Sequence, residues 1–191
     1  MTLTLHKAME ILHKHVTEEH LLLHALAVSA AMGAMAGHFG ADTEHWRAIG
    51  YLHDVDYEKY PDEHCLHVEE LLEPEGVDDA DIRAVKSHGF GLCADVEPLT
   101  DMEKSLFTVD ELTGIITAAS LMRPAGITSL NVKSLMKKCK DKRFAAKCDR
   151  AVIQRGCEML QMELPEVAEL CICGMQTEAE ALGLMGREEQ P

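Results

Sequence analysis

An all-α fold, a single compact helical bundle with extra C-terminal helices over residues 1–185, is what this 191-residue sequence predicts. Three observations predict it. Aromatic residues make up only 4% of the chain while Ala, Leu and Met are abundant, a mixture that favours helix over strand. Val, Ile, Tyr and Phe never alternate with polar residues over a strand length, so the period-2 signature of a sheet is absent. A hydrophobic share of 47% is enough for one well-buried core, which excludes disordered, collagen-like and disulfide-stapled classes.

Helix punctuation divides the chain. Thr2 or Thr4 caps a first helix reaching about Val16, with Leu5, Met9, Leu12 and Val16 along one stripe. Thr17 caps a second that runs to Gly37 or Gly40; Thr43 begins a third, which carries Trp46, Ile49 and Leu52 and ends at His53-Asp54. Residues 56–62, with Pro61, read as a polar loop. A fourth helix spans His64 to Leu72 and stops at Pro74 and Gly76, and a fifth runs from about Asp78 to Gly89 and Gly91. Pro98 closes the next loop, and Thr100-Asp101-Met102-Glu103 is a capping box that starts a long helix ending before Pro124. Beyond Gly126 lie a basic segment, a helix over Phe144 to Leu160 and a last one after Pro165, with a frayed tail from Gly186.

The formal net charge of −15 repels a nucleic-acid backbone or an anionic bilayer, so neither nucleic acid nor membrane is an expected partner. The basic residues are nevertheless concentrated. Nine of the 18 Lys and Arg fall between Lys133 and Arg155 against only Asp141 and Asp149, which leaves nine basic and 31 acidic residues, −22, elsewhere. The seven cysteines show no paired framework spacing, and no apolar leader with a small-residue cleavage site opens the chain; reduced thiols and a cytoplasmic location are expected. The segment from Leu21 to Gly37 approaches the roughly 20 apolar residues of a membrane span. His24, Ser29 and its Ala and Gly content make it a buried core helix instead.

Where the eleven histidines fall matters more than their number. His6, His13, His15, His20, His38 and His45 sit among charged or terminal positions and read as solvated or partly packed. His24 is flanked by apolar residues that carry it inward, where an imidazole needs a partner. His53-Asp54 ends the apolar run Ile49-Gly50-Tyr51-Leu52, His67 follows Cys65-Leu66, and His88 ends the fifth helix. Asp110 lies mid-helix between Phe107 and Gly114, where a carboxylate is costly to bury without a cation or strong donor. Taken singly, each reads as a core, cap or surface residue.

Taken in order, His24, His53-Asp54, His67, His88 and Asp110 on successive helices resemble the H…HD…D pattern of the HD-domain superfamily of metal-dependent phosphohydrolases, over roughly residues 17–123. The extra histidines resemble the two-metal members, in particular small bacterial HD proteins that hydrolyse nucleotides. The resemblance implies that His24, His53, Asp54 and Asp110 hold one metal. It also implies that Asp54, the catalytic carboxylate, bridges to a second metal held by His67 and His88, with His64 competing for the place of His67 one helical turn away. Imidazoles and carboxylates suit one or two divalent ions of Fe, Mn, Co, Ni or Zn, and the lack of a Cys among these positions argues against a thiolate zinc site.

The basic segment and C-terminal helices, residues 129–185, lie beyond the metal motif. Lys133, Lys137 and Lys140 recur at helical spacing, and Lys142-Arg143 follow. They read either as a solvated basic face or as a cationic wall for substrate phosphate, built from Arg123, Lys133, Lys137, Lys138, Lys142 and Arg143. The expected function is a phosphohydrolase in which a metal-activated hydroxide attacks a phosphoester or phosphoanhydride of a small nucleotide-like substrate. Two other readings stay open: a two-iron HD-type oxygenase with the same ligands, and a non-catalytic regulatory module with a structural metal.

Overall fold

In the computed structural model, which describes residues 3–186, nine α-helices follow one another among the described residues: α1 (Leu5–Leu12), α2 (Glu19–Phe39), α3 (Thr43–Leu52), α4 (Val68–Leu72), α5 (Asp79–Ser87), α6 (Asp101–Leu121), α7 (Val132–Lys140), α8 (Arg150–Leu160) and α9 (Leu164–Thr177). No strand forms among the described residues; two isolated bridges pair Phe90 with Ala94 and Gly126 with Met185. The all-α expectation is met. The alternative cap Thr2 and the tail beyond Gly186 lie outside the described residues.

Two long helices make the centre. α2 packs against α3, α6 and α9, while α6 also takes α5, α7 and α8 along its length, and α1 lies on α3. α2 is long and apolar enough to cross a membrane by length and composition. Its apolar residues are instead covered from several sides, with Ala25, Val28, Met32 and Met35 buried, as expected of a helix that is hydrophobic around most of its circumference. α9 comes close to α2 where Gly174 faces Ala30: a Cβ at Gly174 would run into the Ala30 carbonyl and lie 3.0 Å from the Ala34 Cβ.

Capping residues fix most boundaries. Thr4, Asp42, Asp78, Asn131 and Asp149 each accept an amide from the first turn of their helix, and Thr100 with Glu103 forms the complete capping box that the sequence predicts for α6. Thr17 does not cap α2. The Thr17 and Glu18 amides and the Thr17 hydroxyl all donate to the Glu58 carboxylate, at 2.8, 3.0 and 2.8 Å, so the loop after α3 holds the start of α2.

Two predicted helices start later than expected, each for an identifiable reason. The fourth begins at Val68 rather than His64, because Cys65 adopts a left-handed backbone (φ 68°) and the His67 amide donates to Asp56 Oδ2 at 3.3 Å. The helix predicted from Phe144 begins at Arg150. Ala145 is also left-handed (φ 45°), and the Arg150 guanidinium collects the carbonyls of Asp141, Phe144, Ala145 and Cys148 that a helix would have used.

His45, expected to be solvated or partly packed, donates from Nε2 to Asp81 Oδ1 at 2.7 Å and joins α3 to α5. That hydrogen bond raises the imidazole above its ordinary 6.5, against the opposing effect of partial burial. A proton on His45 therefore favours the folded state, fully so below the unfolded pKa, and the contribution fades as pH rises through the raised value. The stability difference between the parent and His45→Gln should shrink by a few tenths of a kcal/mol, after solvent screening, between about pH 6 and pH 9 in urea titrations. Gly174→Val should cost about 1–3 kcal/mol in the same assay through overpacking of α9 on α2.

Candidate metal centre

Four histidines and two aspartates from five segments converge. Two of the histidines arrive by the same local device. His53 is the C-cap of α3 and His88 the C-cap of α5; each donates Nδ1–H to the carbonyl three residues back, Gly50 at 2.8 Å and Val85 at 2.5 Å. His64 donates its Nδ1–H to the buried Asp56 Oδ1 at 2.8 Å. These partners assign the tautomers, and in the neutral ring each leaves Nε2 as a bare lone pair.

All three lone pairs point at acceptors. His53 Nε2 lies 3.3 Å from Asp54 Oδ2 and 3.5 Å from Asp110 Oδ1, and His24 Nε2 completes this group at 2.9 Å from Asp110 Oδ1 and 3.1 Å from His53 Nε2. On the other oxygen of the same carboxylate, Asp54 Oδ1 lies 3.3 Å from His64 Nε2 and 3.5 Å from His88 Nε2, which are themselves 3.0 Å apart. The His24 Nε2–H can serve His53 or Asp110, whereas the His64 and His88 lone pairs face each other and Asp54 Oδ1, and there compensation requires a cation, either protons or a metal ion. The donor chemistry fits a divalent ion, and the Nδ1 partners supply the outer hydrogen bonds that orient ligating imidazoles.

Electrostatics states the same demand. Burial, the largest influence on His53, pushes it down, but Asp54 and Asp110 overcome this and hold it well above its ordinary 6.5. Burial likewise opposes protonation of His64, yet Asp54 and Asp56 push it up to about 10. Burial raises both carboxyls, and the imidazoles prevail and hold Asp54 and Asp110 well below the usual range. A bound metal would take the place of these protons.

The resemblance-derived assignments fare unequally. His24, His53, Asp54, Asp110 and His88 come together; His67 does not. Its Nε2 meets Glu63 at 2.8 Å, its Nδ1 meets Glu70 at 3.1 Å, and its ring stacks on Tyr60. His64 stands in its place. The signal lay in the apolar spacing Val68, Leu71 and Leu72, which starts a helix after His67 and leaves His64 in the preceding turn. The expectation of a thiol-free centre also needs correction, because Cys65 Sγ lies 3.9 Å from His88 Nε2.

The cluster lines a cleft of about 430 Å³, within the range of small-molecule sites. His20, read from sequence as solvated or partly packed, lines it too, as do Tyr57 and Lys147. Most of the proposed phosphate wall lies elsewhere. The Arg123 guanidinium is committed to Ser129 and Ser134 at 2.6–3.0 Å, Lys133 lines a groove against α9, Lys138 sits over the Phe144 ring, and Arg143 is exposed beside Asp141. Lys137 is an exposed residue of α7 and does not line the cleft. Only Lys142 remains near, lining with Lys140 a groove that shares Lys147 and Cys148 with the cleft.

Metal content after dialysis against Mn²⁺ or Co²⁺ separates the two histidines: His64→Ala should lose bound ion, and His67→Ala should match the parent. Asp56→Asn should weaken binding at the His64 position by about 10–100-fold, the usual effect of losing an outer-shell partner. Among known proteins, no family model, no curated protein and no solved structure matches the chain.

Proposed function

We propose that the chain is a metal-dependent phosphohydrolase of the HD type, acting on a small nucleotide-like phosphoester or phosphoanhydride. The observation that carries this reading is the Asp54 carboxylate, which offers Oδ2 to the His24, His53 and Asp110 group and Oδ1 to His64 and His88. One carboxylate shared by two adjacent cation positions suits in-line displacement at phosphorus, where attacking and leaving oxygens both need charge compensation. His24, His53, Asp54 and Asp110 would hold one ion, and Asp54, His64 and His88 the other. When bound, such ions supply Lewis-acid activation of water and of the phosphoryl oxygens.

The chain's own residues supply the rest. Lys147, on the rim of the cleft, provides a point charge for phosphoryl oxygens, and the groove through Lys140 and Lys142 extends that field away from the centre. On another side, an apolar groove lined by Leu23, Thr117, Leu121 and Leu184 shares His20, His24 and Gly114 with the cleft. A substrate with a charged end and a flat, weakly polar body fits that combination, which supports the nucleotide-like class.

A screen of phosphorylated metabolites with added Mn²⁺, Co²⁺ or Ni²⁺ tests the reading through phosphate release. Asp54→Ala and Asp110→Asn should each abolish most turnover. Lys147→Gln should lower kcat/KM by roughly tenfold, about 1.4 kcal/mol, and by less at high salt. The Lys137→Gln, Lys138→Gln double variant should match the parent at every salt concentration. Oxygen uptake by an iron-loaded protein without phosphate release would instead establish the oxygenase, and metal binding without turnover of any kind the regulatory module.

A further inference from the structure

Two thiols that this chemistry leaves unused meet beside the His64 and His88 position. Cys65 Sγ and Cys93 Sγ lie 3.1 Å apart, about 1 Å beyond the length of a disulfide bond. Three local features bring them together. Cys65 holds a left-handed backbone (φ 68°), a conformation that a non-glycine residue keeps only when its surroundings impose it. Gly89 leaves room beneath the sulfurs: a Cβ there would lie 2.7 Å from Cys65 Sγ and closer still to Cys93 Sγ. Cys93 is pinned in a tight turn in which the amides of Leu92, Cys93 and Ala94 all donate to the Gly89 carbonyl, at 2.9–3.0 Å.

Access to the pair is one-sided. Cys65 is fully buried, whereas Cys93 is partly exposed and lines the cleft. A small oxidant entering the cleft therefore reaches Cys93 first and finds the partner sulfur already in contact behind it. That is the arrangement of an attacking and a resolving thiol.

We propose that Cys65 and Cys93 form a reversible oxidation site, a dithiol that closes to an intramolecular disulfide in the presence of a hydroperoxide, with Cys93 reacting first. Cys93 sulfur attacks one peroxide oxygen, the O–O bond breaks, and the departing oxygen leaves as water with the thiol proton, giving a sulfenic acid. Cys65 sulfur then attacks Cys93 sulfur, the S–O bond breaks, and a second water leaves with the Cys65 proton. The two sulfurs together give up two electrons, and one hydrogen peroxide is reduced to two waters. The bond ties the residue after His64 to the turn after His88, and so joins the two segments that present His64 and His88. The proposal is independent of the phosphohydrolase reading.

The full chain, stripped of metal by chelation and exposed to hydrogen peroxide, is denatured, blocked with N-ethylmaleimide, digested and mapped by mass spectrometry. The expected product is a linked peptide pair containing Cys65 and Cys93, two hydrogens lighter than the dithiol and lost on treatment with dithiothreitol, with the other five cysteines blocked. Cys93→Ser should eliminate the link, and Cys148→Ser, which alters the other thiol on the cleft wall, should retain it. Conversion of Cys93 to sulfinic acid without a link, or a link from Cys93 to Cys148, would overturn the proposal. So would a thiolate-to-metal charge-transfer band on Co²⁺ loading that disappears in Cys65→Ser, which would make Cys65 a ligand instead.

Discussion

Carboxylates and imidazoles are gathered at close range where α2, α3, α5 and α6 meet, and the elements around them are arranged to hold them there. Leaving carboxylates and imidazole lone pairs uncompensated in a helical core would cost several kcal/mol per charged group, comparable to the whole stability of a domain. The cluster is therefore compensated either by protons on its imidazoles or by a metal ion, and its outer hydrogen bonds fix the rings in both cases. His53 and His88 are fixed by backbone carbonyls and His64 by Asp56, so three rings have no freedom to turn their Nε2 atoms elsewhere.

The same constraint explains why the surrounding elements have irregular edges. α4 is short because the chain before it bends to deliver His64, and Asp56 takes both that ring and the His67 amide. Glu58, two residues further along the same loop, takes the amides ahead of α2 and so registers the helix of His24 against the segment of Asp54. Loop polarity here has structural content: Asp56 positions a ligand, and Glu58 positions a helix.

Much of this was legible in the sequence. Residues with strong local rules, such as Thr100 with Glu103 and the apolar run ending at His53-Asp54, gave correct elements because the competing tertiary forces act in the same direction. Five of the six ligands that the resemblance implies converge: His24 and Asp110 are carried there by the long helices α2 and α6, and His53, Asp54 and His88 by the ends of α3 and α5. His64 was legible only as a competitor for the place of His67, because what turns it to the centre is Asp56 and a left-handed Cys65, neither of which has a periodic signature. The helix start at Arg150 escaped because one guanidinium collecting four loop carbonyls leaves no local mark. Lys147 was counted within the basic segment, but only the folding of residues 141–149 as a loop brings it to the cleft.

α3 and α5 both end at the centre, each with its C-cap histidine turned inward. Helix C-termini carry a negative partial charge, so two of them add to the carboxylates of Asp54 and Asp110 and deepen a negative potential around the cluster. Such a potential favours a proton or a metal ion at the cluster. The two helix ends therefore act with the carboxylates, and the sign of the cleft changes along its wall from the centre to Lys147.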